Sequence, residues 1–150
     1  MRHSFYGTLI LLLTSSNALA QHSCPDGFTF AGTLSGAGSA YSALNERREL
    51  NLPAGATLDT SYQQATVRAR DGNRRSQSNL RAEDIPKGIH ISAAGTTSLD
   101  RGWAISEPEL KQVQSRYRFS MKLSCTPGSS NFDNFGGCDV AVEVCYKPKK

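Results

Sequence analysis

RYRFSMKLSC at residues 116–125 and CDVAVEVCY at residues 138–146 are the stretches on which the fold turns. In the first, Tyr117, Phe119, Met121, Leu123 and Cys125 take every second position, with Arg116, Arg118, Ser120, Lys122 and Ser124 between them. A side-chain period of two belongs to an extended strand with one buried and one wet face. The second stretch repeats the pattern: Cys138, Val140, Val142, Val144 and Tyr146 alternate with Asp139, Ala141 and Glu143. A Gly-, Ser- and Asn-rich connection separates them, and the expectation is an antiparallel hairpin.

The same parity assigns the cysteines. Cys125 ends the core-facing set of one run and Cys138 opens that of the next, so a Cys125–Cys138 bridge is expected at the mouth of the connecting loop. Cys145 has the opposite parity and is left to Cys24. In chain-entropy terms the short loop contributes roughly 3 kcal/mol and the long one more. Paired cysteines imply an oxidising compartment rather than a metal or redox site.

The N-terminus agrees with that compartment. Arg2 and His3 precede the apolar run Leu9, Ile10, Leu11, Leu12 and Leu13, and Ala18-Leu19-Ala20 supplies an A-x-A processing site before Gln21. A bilayer span needs about 20 apolar residues, so residues 1–20 read as a cleavable signal peptide and not as a membrane anchor. Gln21, His22 and Ser23 do not form a lipid-attachment motif ahead of Cys24. The expected protein is exported, periplasmic or secreted, with neither membrane span nor lipid anchor. Residues 21–150 are the size of one domain. Of the 17 Lys and Arg only Arg2 falls in the signal, so the domain is basic by three charges against 13 Asp and Glu. That surplus keeps a small domain soluble and favours anionic surfaces without the clustered excess of a nucleic-acid binder.

Elsewhere the pattern is weaker. Phe28, Phe30 and Leu34 alternate with Thr29, Ala31 and Thr33 as a first strand, broken by Gly36, Ala37, Gly38 and Ser39. Ala43, Leu44, Arg47 and Leu50 are spaced for a short helix. Pro53 and Gly55 mark a turn, and residues 57–70 read as extended until Asp71-Gly72-Asn73. Residues 79–85 suit one or two helical turns stopped by Pro86 and Gly88, followed by a strand over Ile89, His90, Ile91, Ser92 and Ala93. Gly102-Trp103-Ala104-Ile105 is a further short strand, and Ser106 with Glu109 resembles a capping box ahead of a helix over residues 107–114. The expected architecture is mostly β: a single small antiparallel β-sandwich or partly open barrel with one or two short helices and two disulfides.

Three features could carry function. Arg68, Arg70, Arg74 and Arg75, with Arg81 and Lys87 beyond them, flank a turn, and arginine's planar fork suits carboxylate and phosphate. The plain alternative is a solvated loop with charges guarding an edge. Phe132 and Phe135 lie in the loop 128–137, where a disulfide at the neck would lower the ordering cost of binding; otherwise both rings cover the open end of the sheet. His90 shares parity with Ser92, opposite Ile89 and Ile91, so it is expected to face solvent or a cleft. As a general base it would need a carboxylate such as Glu83, Asp84 or Glu107. Two histidines outside the signal and four bridged cysteines leave no ligand set for a metal, and nothing implies a cofactor.

The leading expectation is a noncatalytic binding protein, an inhibitor, immunity or adhesion-type factor. It would recognise a protein or polyanionic surface through Arg68, Arg70, Arg74, Arg75, Phe132 and Phe135. The alternatives are a small secreted hydrolase, such as a nuclease, using His90, and a structural subunit of a surface assembly.

Overall fold

The structure, a computed structural model, describes residues 24–39, 42–61, 67–71, 82–97, 102–127 and 137–150, with the backbone alone at 67–71, 82 and 97. Seven strands are formed: β1 (Thr29–Gly38), β2 (Leu44–Asn51), β3 (Val67–Asp71), β4 (Ile89–Thr97), β5 (Trp103–Val113), β6 (Arg116–Cys125) and β7 (Cys138–Tyr146). They make two sheets, a four-stranded one in the order β1-β7-β4-β3 and a three-stranded one in the order β2-β6-β5. All pairs are antiparallel except β3 with β4. The sheets form a β-sandwich, and neither closes into a barrel.

Both decisive stretches are interior strands, but they do not pair with each other. β6 lies between β2 and β5, and β7 between β1 and β4. Phe119, Met121 and Leu123 from one sheet and Val140, Val142 and Val144 from the other are fully buried in a single core cluster. Each contributes about 1.5–3 kcal/mol of apolar burial. Identical parity had a different cause from hairpin pairing: the two runs point at each other across the sandwich. The Cys125–Cys138 disulfide, with Cα atoms 6.1 Å apart, therefore ties one sheet to the other. Cys24–Cys145, with Cα atoms 5.8 Å apart, fastens the segment before β1 to the outer face of β7.

Three other elements differ from the sequence expectation. β1 runs through Gly36 and Gly38 to meet Cys138 in register. A Cβ at Gly38 would stand 2.8 Å from Cys138 Sγ, so the missing side chain admits the disulfide. Residues 44–51 are an edge strand and not a helix. Leu44 and Leu50 point inward, whereas Glu46 and Arg48, opposite Leu123 and Met121 in register, remain exposed and pair with each other at 2.6 Å. Gly36 and Gly32 of β1 meet Leu44 and Leu50, while Glu46 and Arg48 between them reach solvent, which leaves an apolar spacing that imitates a helix stripe.

The helix expected over residues 107–114 is strand β5, continuing to Val113 and returning through Gln114-Ser115 into β6. A bulge between Ser106 and Glu109 resets the parity, with Glu107 at φ 52°. Trp103 and Ile105 face the core before it and Leu110 packs against the core after it. Pro108 cannot donate to a ladder and is tolerated at an edge-strand bulge. The helical turns expected at 79–85 reduce, among the described residues, to a 3-10 turn at Ala82–Asp84. The extended run expected over 57–70 contains a lone bridge at Leu58, a turn at Thr60-Ser61 and β3 from Val67. Among the described residues no helix is long and apolar enough to cross a membrane.

Candidate functional site

His90 is not at the surface. It stands on the outer face of β4, as its parity requires, opposite Cys145 in register, yet only 1% of it is accessible. The segment that Cys24–Cys145 holds against this face covers it: Phe28 meets the imidazole edge-on, with ring centroids 5.8 Å apart. Alternation reports the face of a strand and is blind to a third layer laid over it. Glu107, one suggested partner, is on the other sheet, and Glu83 and Asp84 lie exposed in the 3-10 turn. The imidazole is thus covered from solvent by this added layer.

The register defines two ends of the sandwich. Cys138 aligns with Gly38 and Thr97, and it is bonded to Cys125, which aligns with Leu44 and Trp103. This is the upper end. The lower end holds Tyr146, aligned with Thr29 and Ile89, together with Cys24 and the β5–β6 turn. Strand β3 runs parallel to β4 and finishes with Asp71 beside Gly95, two residues short of Thr97. Arg74 and Arg75 therefore follow a strand that ends at the upper end, and Thr126-Pro127 and Gly137, which flank the loop of Phe132 and Phe135, are at that same end. Arg74, Arg75, Phe132 and Phe135 themselves lie outside the described residues. Arg68 and Arg70 occupy register positions beside Ser92 and Ala94 on β3. β3 and β4 pair in parallel, so the two strands are not the arms of a hairpin.

A charged surface covers the outside of the three-stranded sheet. β6 presents Arg116, Arg118, Ser120 and Lys122 there, and β2 contributes Arg47, Glu49 and Asn51. Arg47 extends across β6, donating to Ser120 Oγ at 3.0 Å, and its Nη2 lies 2.8 Å from Glu107 Oε2 on the β5 bulge. Lys122 Nζ approaches the same carboxylate at 3.9 Å, and Arg118 lies 3.7 Å from Glu49. Each pair is substantially exposed, so each contributes only a few tenths of a kcal/mol up to about 1 kcal/mol. The β6 half of this surface follows from its alternation; Arg47 was hidden by the helical reading of residues 44–51.

No protein-family model matches this chain, no curated protein matches it in sequence, and no solved structure matches it in fold.

Proposed function

We propose that this chain is a noncatalytic binding protein of an oxidising compartment, an inhibitor, immunity or adhesion-type factor that engages an acidic protein surface with its upper end. One observation carries the reading: the strand register brings the end of β3, which leads to Arg74 and Arg75, to the end where Cys125–Cys138 closes the loop of Phe132 and Phe135. Guanidinium groups would supply charge-assisted contacts to carboxylates, and two aromatic rings on a tethered loop would supply apolar anchors at reduced ordering cost. The two disulfides fit such a compartment. The burial of His90 lends the hydrolase reading no support.

The test is capture from the native extracellular fraction with immobilised protein, comparing wild type with two double variants, Phe132→Ala/Phe135→Ala and Arg74→Ala/Arg75→Ala. Both variants are expected to lose a protein captured by wild type, the arginine variant more steeply as salt is raised. Capture unchanged in both rejects the proposal. Retention on immobilised heparin, with no protein captured, would transfer the site to a polyanion.

A further inference from the structure

The lower end carries a second, independent feature. Residues 147–149 are laced to the body of the domain. The Lys147 amide donates to the Gly88 carbonyl at 2.8 Å, its carbonyl accepts from the Asp59 amide at 2.7 Å, and the Lys149 amide donates to Thr57 at 3.0 Å. Leu58 and Pro148 complete a one-residue antiparallel bridge. Against this ladder lies an open cleft of about 740 Å³, lined among others by Asp59, Thr60, Ser61, Lys147, Lys149 and Lys150.

Its charges are not equivalent. The Asp59 carboxylate accepts from the Ser61 hydroxyl and, at 3.0 Å, from the Ser61 amide, and lies 3.7 Å from Lys147 Nζ. Lys147 also lies over the Phe28 ring, 6.0 Å from its centroid. Asp59 and Lys147 thus largely offset each other. Lys149 and Lys150 make no ion pair among the described residues, and their two ammonium groups outweigh the single α-carboxylate at Lys150, which leaves the cleft with a smaller positive surplus. An ammonium group is a point charge suited to phosphate, and the hydrogen bond that already fixes the Lys149 backbone reduces the ordering cost of presenting one of them.

We propose that this cleft is a binding site for a small phosphate-bearing molecule, with Lys149 and Lys150 as the contacts to the anion, the Thr60 hydroxyl as a further donor, and Asp59 as the residue that positions Lys147. The space exceeds what a single ion fills, so an oligophosphate or a phosphate monoester carrying an organic group can be accommodated.

The experiment is a titration of the isotopically labelled protein with inorganic pyrophosphate and, separately, with glucose 6-phosphate in low salt, followed by amide shifts. Shifts are expected at Gly27, residues 59–61 and residues 147–150. Lys149→Ala/Lys150→Ala should weaken binding roughly tenfold or more, whereas Lys111→Ala/Lys122→Ala, which removes the same charge from the β2-β6-β5 face, should change it less than about twofold. Preference for one probe tells free oligophosphate from monoester. Failure of both probes to bind, shifts scattered over the whole surface, or equal weakening by the two double variants would each overturn the proposal.

Discussion

Arg47 holds Glu107 twice across an intervening strand: its Nη2 meets the Glu107 carboxylate at 2.8 Å while its Nη1 donates to the Glu107 carbonyl at 3.1 Å. The side chain thereby spans β2 to β5 and braces a bulge whose central residue has a left-handed backbone. For a non-glycine residue that conformation costs of order 1 kcal/mol. Arg47→Ala is expected to lower unfolding free energy by about 0.5–1 kcal/mol, since the pair is exposed. Arg47→Lys should recover less than half of that loss, because an ammonium cannot reproduce the fork. Chemical denaturation of the three proteins decides it; full recovery by lysine would show that charge alone matters.

Gly95 lies directly under the indole of Trp103, where a Cβ would come within 2.4 Å of the ring. Neither partner can yield cheaply, since Trp103 is buried and β4 is an interior strand. Gly95→Ala is expected to cost about 1–3 kcal/mol, the range for overpacking a filled core. A melting temperature equal to that of wild type would mean that the indole has room to move.

Asp59 ties stability to acidity. The Ser61 hydroxyl, more than any other group, holds its carboxyl below the usual carboxylate range, with the Ser61 amide and Lys147 acting in the same direction and desolvation opposing them. A group whose folded-state pKa is depressed stabilises fully above the unfolded-state value, about 3.9, and loses that contribution as pH falls through the lower folded-state value. Wild type should therefore exceed Asp59→Asn in stability at neutral pH, and the difference should close on acidification below about pH 4. A difference that persists unchanged to pH 2 would assign it to something other than the ionised carboxylate.

The two disulfides should differ in weight. Cys24–Cys145 joins residues 121 apart in sequence and Cys125–Cys138 residues 13 apart. Loop-closure entropy alone gives about 5 and about 3 kcal/mol respectively. Replacing each pair by alanine and measuring unfolding in denaturant is expected to show the larger loss for Cys24/Cys145. The opposite ranking would indicate that joining the two sheets, not limiting the unfolded chain, is the main contribution of these crosslinks.

The alternation over 116–125 and 138–146 disclosed both central strands, their inward faces and both cysteine pairings. It could not disclose strand partners. A period of two says which way a side chain points, and two inward-pointing runs satisfy it equally well side by side or face to face. Its edge position hid β2, where Glu46 and Arg48, on the same side as Leu44 and Leu50, stay exposed and pair with each other. A bulge hid β5: Glu107 and Pro108 shift the phase, and Ser106 with Glu109 then imitates a helix cap. Parity puts His90 on the outer face of β4, but the segment laid over it is positioned by a bond to Cys145, remote in sequence. The charged face and the Asp59–Lys147 cleft depend on the same kind of distant juxtaposition.

Trp103, the one tryptophan of the chain, stands opposite Cys125 in register, immediately below the end proposed for recognition. Disulfide sulfur drains an excited indole efficiently at close range, so this residue should be dim in the oxidised protein and brighten when Cys125–Cys138 is opened. The molecule thus comes with an intrinsic optical gauge of that crosslink, which needs no dye and no added chromophore.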